Sequence, residues 1–203
     1  MKTSLIVAAT EAEIKGLMST QENRADVEFL VTGVGMVNTC FHLTKRLTEG
    51  GVNKVMNVGI AGAFDKTVEL GDVVQVVEER FSEFGAQDNG AFLLADEMNL
   101  MPSGQLSFKT DIRLAALPEA KGITVNTIHG EKASIQEVAD RFNPDVESME
   151  GAAVAFVAQQ FGVNWTEVRA ISNHVEPRKR DGWKVGLAIR NLTEAVTKAL
   201  LEE

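Results

Sequence analysis

Short apolar runs rich in β-branched residues alternate along the chain with longer stretches whose apolar positions recur at helical spacing. The runs Leu5–Ala9, Val27–Thr32, Lys54–Val58, Asp72–Glu79, Gly122–Thr127 and Glu167–Ile171 lie between Gly, Asp and Asn residues and predict buried strands. Helical patterns cover Met36–Glu49, Ile135–Phe142, Ala152–Phe161 and Trp183–Leu201, and Thr10-Glu11-Ala12-Glu13-Ile14 opens a further helix after the first strand. Strands alternating with helices predict an α/β domain around a largely parallel sheet. The interval Ser82–Ser107 breaks the rhythm, with Gly85, Asn89, Gly90, Pro102 and Gly104 scattered among weakly periodic residues. It reads as a long loop, either a lid or a plain surface excursion.

A chain of 203 residues suits one domain spanning 1–203, and 44% hydrophobic with 24% charged residues supports a sizeable core. The net charge of −9 disfavours nucleic acid, whose binding needs Lys and Arg against phosphates, and leaves a small molecule or another protein as partner. The apolar start is too short for a secretory signal and runs directly into Glu11 and Glu13. No apolar stretch approaches the roughly 20 residues that span a bilayer, so no membrane partner is expected. Cys40, the sole cysteine, reads as a buried helical thiol and suits a reducing cytoplasm.

Ligands of open α/β sheets collect beyond the carboxyl ends of the strands, which directs the search for chemistry. Glu11 and Glu13 follow the first strand, where a helix dipole alone favours acids. Thr32-Gly33-Val34-Gly35-Met36 is a glycine turn entering a helix, able to bring backbone N–H groups to an anion or a polarised water. It lacks the third glycine of a dinucleotide fingerprint and the Gly-Lys-Ser/Thr of a P-loop, and a plain tight turn fits it as well. Asn57-Val58-Gly59-Ile60-Ala61-Gly62 crowds small residues at a strand end, permitting close approach of a ligand or of a neighbouring element. Met149-Glu150-Gly151 leads into an Ala-rich helix, where a carboxylate is again favoured by the dipole. Ser172-Asn173-His174 ends a strand in polar residues, and Arg178, Lys179 and Arg180 follow as a solvated face or a seat for an anionic group. His42 reads as a structural helix residue, His129 as structural or pocket-lining, and His174 as shaping a turn. The three lack metal-ligand spacing, and no metal or other cofactor is expected.

Taken in order, Glu11-x-Glu13, Gly33-x-Gly35, Asn57-Val58-Gly59-Ile60-Ala61-Gly62, Leu70-Gly71-Asp72-Val73-Val74, Met149-Glu150 and Arg169-Ala170-Ile171-Ser172-Asn173 resemble the purine nucleosidase and phosphorylase superfamily. That superfamily contains 5′-methylthioadenosine/S-adenosylhomocysteine nucleosidase, and the similarity runs over nearly the whole chain. Phe84-Gly85-Ala86-Gln87-Asp88, the segment from Val146 to Ala153, and the segment from Ser172 to Arg178 look like its futalosine hydrolase branch, which belongs to the alternative menaquinone pathway. The resemblance implies a three-layer α/β/α domain with a mixed, largely parallel central sheet, nucleoside phosphorylase-like, in a cytoplasmic homo-oligomer acting on a small nucleoside. The implied reaction is hydrolysis of the N-ribosidic bond of futalosine with release of hypoxanthine. A methylthioadenosine or inosine-type nucleosidase is the rival enzyme, and a catalytically inactive nucleoside-binding module is the rival of another class.

By the same resemblance Glu13 activates the water, while Glu150 holds the ribose 2′- and 3′-hydroxyls and stabilises the oxocarbenium-like sugar, with Met149 packed against it. Gly35, Ile60, Gly62 and His129 line the substrate site. Arg178 or Arg180 would meet the benzoate carboxylate of futalosine, and Trp183 would pack on its ring. Methylthioadenosine nucleosidases place an Asp at the position of Asn173, which can protonate N7 of adenine. Asn cannot transfer that proton, but its amide complements a 6-oxopurine such as hypoxanthine. The related phosphorylases carry Arg at the position of Asn57 and Ser at that of Ile60 to hold phosphate; with both missing, water is the expected acceptor.

Overall fold

Successive residues of a strand face opposite ways, and the first strand uses both sides. In β1 (Thr3–Ala8), Leu5 and Val7 join one buried cluster while Ile6 and Ala8 join another. The first cluster takes Leu43 and Leu47 from α2 (Met36–Thr48) and Ala152, Ala155 and Ala158 from α4 (Gly151–Gln160). The second takes Ile14 and Leu17 from α1 (Glu11–Thr20) and Leu192, Val196 and Leu200 from α5 (Val185–Leu201). The computed structural model describes residues 3–22, 24–110, 112–177 and 182–201.

The other elements are β2 (Val27–Val31), β3 (Val52–Ala63), β4 (Val73–Arg80), β5 (Gly85–Asp88), β6 (Ala91–Leu94), β7 (Ser107–Lys109), β8 (Glu119–Thr124), α3 (Lys132–Phe142), β9 (Val146–Ser148) and β10 (Asn164–His174). The main sheet is mixed. Its parallel pairs are β1–β2, β1–β3, β3–β10, β4–β8 and β8–β9, and its antiparallel pairs are β4–β10, β3–β9 and β4–β7. The pairings close on themselves from β3 through β10, β4, β8 and β9 back to β3, with β1 and β2 extending from that ring. Closure depends on the length of β3, which lies along β1 over its first half and reaches β9 at Gly62 and Ala63.

Several elements depart from the sequence expectation. β3 and β10 run on to Ala63 and His174, so the small-residue segment and Ser172-Asn173 lie inside strands rather than beyond them. Glycine suits β3 here because a Cβ on Gly59 would stand 2.3 Å from the Arg169 guanidinium. The expected loop Ser82–Ser107 contains a hairpin, β5 against β6, that turns at Asn89 and Gly90 with φ of 48° and 87°. Asn-Gly with both φ positive is the favoured two-residue hairpin turn. The segment after it is anchored by Leu94, Ala95 and Leu106 against Phe92 and Met101. α5 begins at Val185 and leaves Trp183 outside the helix. Cys40 is half-buried rather than buried.

Candidate active site

A cleft of about 340 Å³ opens where β1, β3, β9 and β10 end, lined by Glu13, Ile60, Gly62, Met149, Glu150 and Asn173 among others. Each carboxylate is fixed by helix-end chemistry. Thr10 caps α1, and Glu13 three residues on accepts the Thr10 backbone N–H at 2.9 Å and hydroxyl at 2.7 Å on Oε2. Its Oε1 accepts the Ile60 N–H at 3.1 Å, tying the helix start to β3. The helix-end role of this acid and its place in the cleft are thus served by the same contacts.

Glu150 is the N-cap residue of α4, and its Oε1 accepts the Gly35 N–H at 2.9 Å. Gly35 holds φ at 91°, a conformation that favours glycine and aims this N–H across the cleft. The anion at the glycine turn is therefore a carboxylate of the chain itself. Burial pushes the Glu150 carboxyl up; Arg169 and the Gly35 N–H pull it back, and the Glu13 charge adds to the rise.

Behind the two carboxylates stands Arg169, 1% exposed, with one guanidinium nitrogen 3.9 Å from Glu150 Oε2. Its Nε donates to Glu167 Oε1 at 2.6 Å. Burial opposes the Arg169 charge, and Glu167, Glu150 and Glu13 together more than offset it. Glu79 is buried beside Glu167: one free oxygen of each lies 2.6 Å from where a Cβ on Gly151 would be. Burial, then the Glu167 charge, push the Glu79 carboxyl well above the usual carboxylate range. Two acids so placed oppose each other's ionisation; burial raises the Glu167 carboxyl as well, and Arg169 draws it back.

At the opposite end of the cleft a bulge in β10 shifts the register between Ile171 and Asn173. The Ser172 hydroxyl donates to Asn173 Oδ1 at 2.7 Å, while Asn173 Nδ2 donates to the His174 carbonyl at 3.1 Å. A side compartment continues from here past Gly62 to His129, roofed by Trp183. Among the expected site residues, Gly35 reaches the cleft through Glu150, His129 borders the compartment, and Arg178 and Arg180 lie outside the described residues. His42 is exposed on α2, and His174 is tied by Nε2 to the Val68 carbonyl at 2.9 Å. Arg169, Glu147 and Ser172 stand in the segments that carry the resemblance, but the sequence reading gave none of them a role. An arginine inside an apolar strand run was the available signal, since a buried guanidinium demands acidic partners. Among the described residues no group of three His, Cys, Asp or Glu side chains is placed to hold a metal ion, and no helix is long and apolar enough to cross a membrane.

The model of the phosphorylase superfamily matches residues 12–201. A futalosine hydrolase of Thermus thermophilus is 30% identical over 188 residues, covering 86% of this chain and 81% of that protein. A 5′-methylthioadenosine/S-adenosylhomocysteine nucleosidase of Bacillus cereus is 32% identical over 173 residues, covering 78% and 71%. The solved structure of a Helicobacter pylori futalosine hydrolase superposes with a TM-score of 0.85 at 17% identity, covering 100% of this chain and 98% of that one.

Proposed function

The chain belongs to the phosphorylase superfamily, and we propose that it hydrolyses the N-ribosidic bond of futalosine, releasing hypoxanthine. The observation that carries this reading is the convergence of Glu13 and Glu150 on one cleft whose far end presents an amide, Asn173, instead of an acid. Breaking an N-ribosidic bond builds positive charge on the sugar and negative charge on the purine. Glu13, aimed by Thr10 and Ile60, takes the proton of the attacking water. Glu150 bonds the ribose hydroxyls and faces the developing cation, with Met149 beside it. Asn173 reads the 6-oxopurine through its amide. Water is the acceptor because the side chain in place of a phosphate-binding arginine, Asn57, is 1% exposed and carries no charge.

The relatives bearing the methylthioadenosine nucleosidase name keep a second substrate in view, and Asn173 argues against it, since an amide cannot protonate N7 of adenine. The three-layer arrangement is supported by the split of Leu5 and Val7 from Ile6 and Ala8 between two helical clusters. A homo-oligomer is supported by exposed Val37 and Phe41 on α2 and by exposed Phe84, which lines an apolar cavity together with Val37. The direct test incubates the purified protein with futalosine, methylthioadenosine and inosine without phosphate and chromatographs the released base. Hypoxanthine from futalosine is expected; adenine release alone overturns the substrate, phosphate-dependent turnover makes the protein a phosphorylase, and binding without release makes it a nucleoside-binding module.

A further inference from the structure

Asn173 can hydrogen-bond a departing purine but cannot give it a proton. The compartment holding Asn173 is bordered by His129, Glu147, His174 and Glu176. His174 is tied to the Val68 carbonyl, and Glu176 pairs with Lys66 at 3.1 Å. His129 is built differently. Its backbone N–H reaches Glu147 Oε1 at 3.1 Å and its ring Nδ1 reaches Oε2 at 2.6 Å. Glu147 lies on β9 opposite Gly62, and its side chain is 4% exposed against 13% for His129. Both oxygens of a buried carboxylate thus hold one histidine, fixing a proton on Nδ1 and leaving Nε2 as the ring's other donor.

We propose that His129 is a catalytic residue: its imidazolium presents Nε2–H to the 6-oxo edge of the departing purine and supplies the proton that Asn173 cannot. The proposal rests on the reading of the chain as a 6-oxopurine nucleosidase. As the bond between C1′ and N9 breaks, its electron pair is delocalised onto the purine, O6 takes the His129 proton, and the released 6-hydroxy tautomer shifts that proton to a ring nitrogen in water to give hypoxanthine. The hydroxide of the attacking water goes to C1′ and its other proton to Glu13. Glu13 then returns a proton to solvent and His129 takes one up. A 6-aminopurine would bring a donor against this donor, so the same group selects against adenine.

The hydrogen bond to Glu147, the largest influence, raises the His129 imidazole above its ordinary range; burial works against it, and the charges of Glu147, Glu83 and Glu137 add to the rise. Arg141 on α3, His174 at the end of β10 and Glu176 after it are the other titratable groups around its two bordering cavities. The working form is the protonated one, present at low pH and lost as pH rises through this raised value.

The experiment measures kcat and KM across pH for futalosine and its 6-amino analogue with wild type, His129→Ala and Glu147→Gln. The alanine variant is expected to lose about 10²-fold or more in kcat on futalosine with KM little changed, and to regain turnover with added imidazole. Its preference for the 6-oxo substrate narrows, and Glu147→Gln moves the alkaline limb of the wild-type profile to lower pH. A His129→Ala protein matching wild type in kcat, pH profile and preference overturns the proposal. Should that variant fail to fold, an unmoved limb in Glu147→Gln overturns it instead. Wild type that releases no hypoxanthine refutes the parent reading; the His129 titration, followed by NMR without turnover, then stands alone, and an ordinary histidine value refutes the charged ring.

Discussion

Glu13 and Glu150, at the proposed sugar end of the cleft, are 6% and 7% exposed and are backed by a buried arginine, whereas the proposed base end offers an amide, a hydroxyl and a histidine held by a carboxylate. The sugar end gathers carboxylates, and carboxylate charge in a dry interior needs a permanent partner. Arg169 meets that need by facing Glu13, Glu150 and Glu167 at once. Glu79, beside Glu167, resists ionisation, because burial and the Glu167 charge both push its carboxyl up. Among the described residues the base end has no such buried cation, and the charge proposed there is the one His129 carries and gives up in each turnover. Negative charge belongs where a cation develops on the sugar; a transferable proton belongs where an anion must leave.

The largest effect is expected from neutralising the sugar end at one atom. Glu13→Gln keeps a carbonyl oxygen for Thr10 but removes the base, so kcat should fall by about 10²–10⁴-fold on every nucleoside alike, while equilibrium binding of hypoxanthine persists. A drop confined to 6-oxopurine substrates would mean that Glu13 acts on the base and that the two ends are wrongly assigned. Next in size is Arg169→Met, which strands three buried carboxylates. Removing one partner from a buried ionic group costs about 3–5 kcal/mol. For a chain of this size that lowers the melting temperature by about 10 °C. Calorimetry at two pH values sharpens the point: acid should restore part of the loss by protonating the stranded carboxylates, and equal losses at both would show that Arg169 acts by packing alone.

The same contrast explains what the sequence disclosed. Alternating strands and helices were readable because strands covered on both faces appear as apolar runs, as in Leu5–Ala9. That Glu13, Glu150 and Asn173 share one cleft was expected from the ordered motifs around them, not from the strand runs alone. The true ends of β3 and β10 were hidden: Gly59, Gly62, Ser172 and Asn173 have poor strand propensity and are kept extended by neighbours distant in sequence. The turn at Gly33 and Gly35 read as an anion cradle or as a plain tight turn, and that Gly35 meets the Glu150 carboxylate, 115 residues later, is a tertiary fact. The grip of Glu147, on β9, on His129, ahead of α3, spans 18 residues that include the whole helix, and no local pattern encodes it. The Asn89-Gly90 hairpin was the avoidable miss, since that dipeptide carries its own signal.

The smallest effects come from two hydroxyls that support the two ends in parallel, Thr10 behind Glu13 and Ser172 behind Asn173. Thr10→Val removes one of the two Thr10 donors to Glu13 Oε2 and weakens the start of α1, a loss of about 1 kcal/mol by the usual worth of a helix cap. Its kinetic effect should be a few-fold and equal for all nucleosides, because a slackened Glu13 slows attack whatever base leaves. Ser172→Ala frees Asn173 Oδ1, allowing the amide to turn over and offer its donor and acceptor in the opposite order. That change should leave overall turnover within a few-fold of wild type while shifting the ratio of kcat/KM between futalosine and its 6-amino analogue. If Thr10→Val shifted that ratio and Ser172→Ala did not, the polarity assigned to the cleft would have to be reversed.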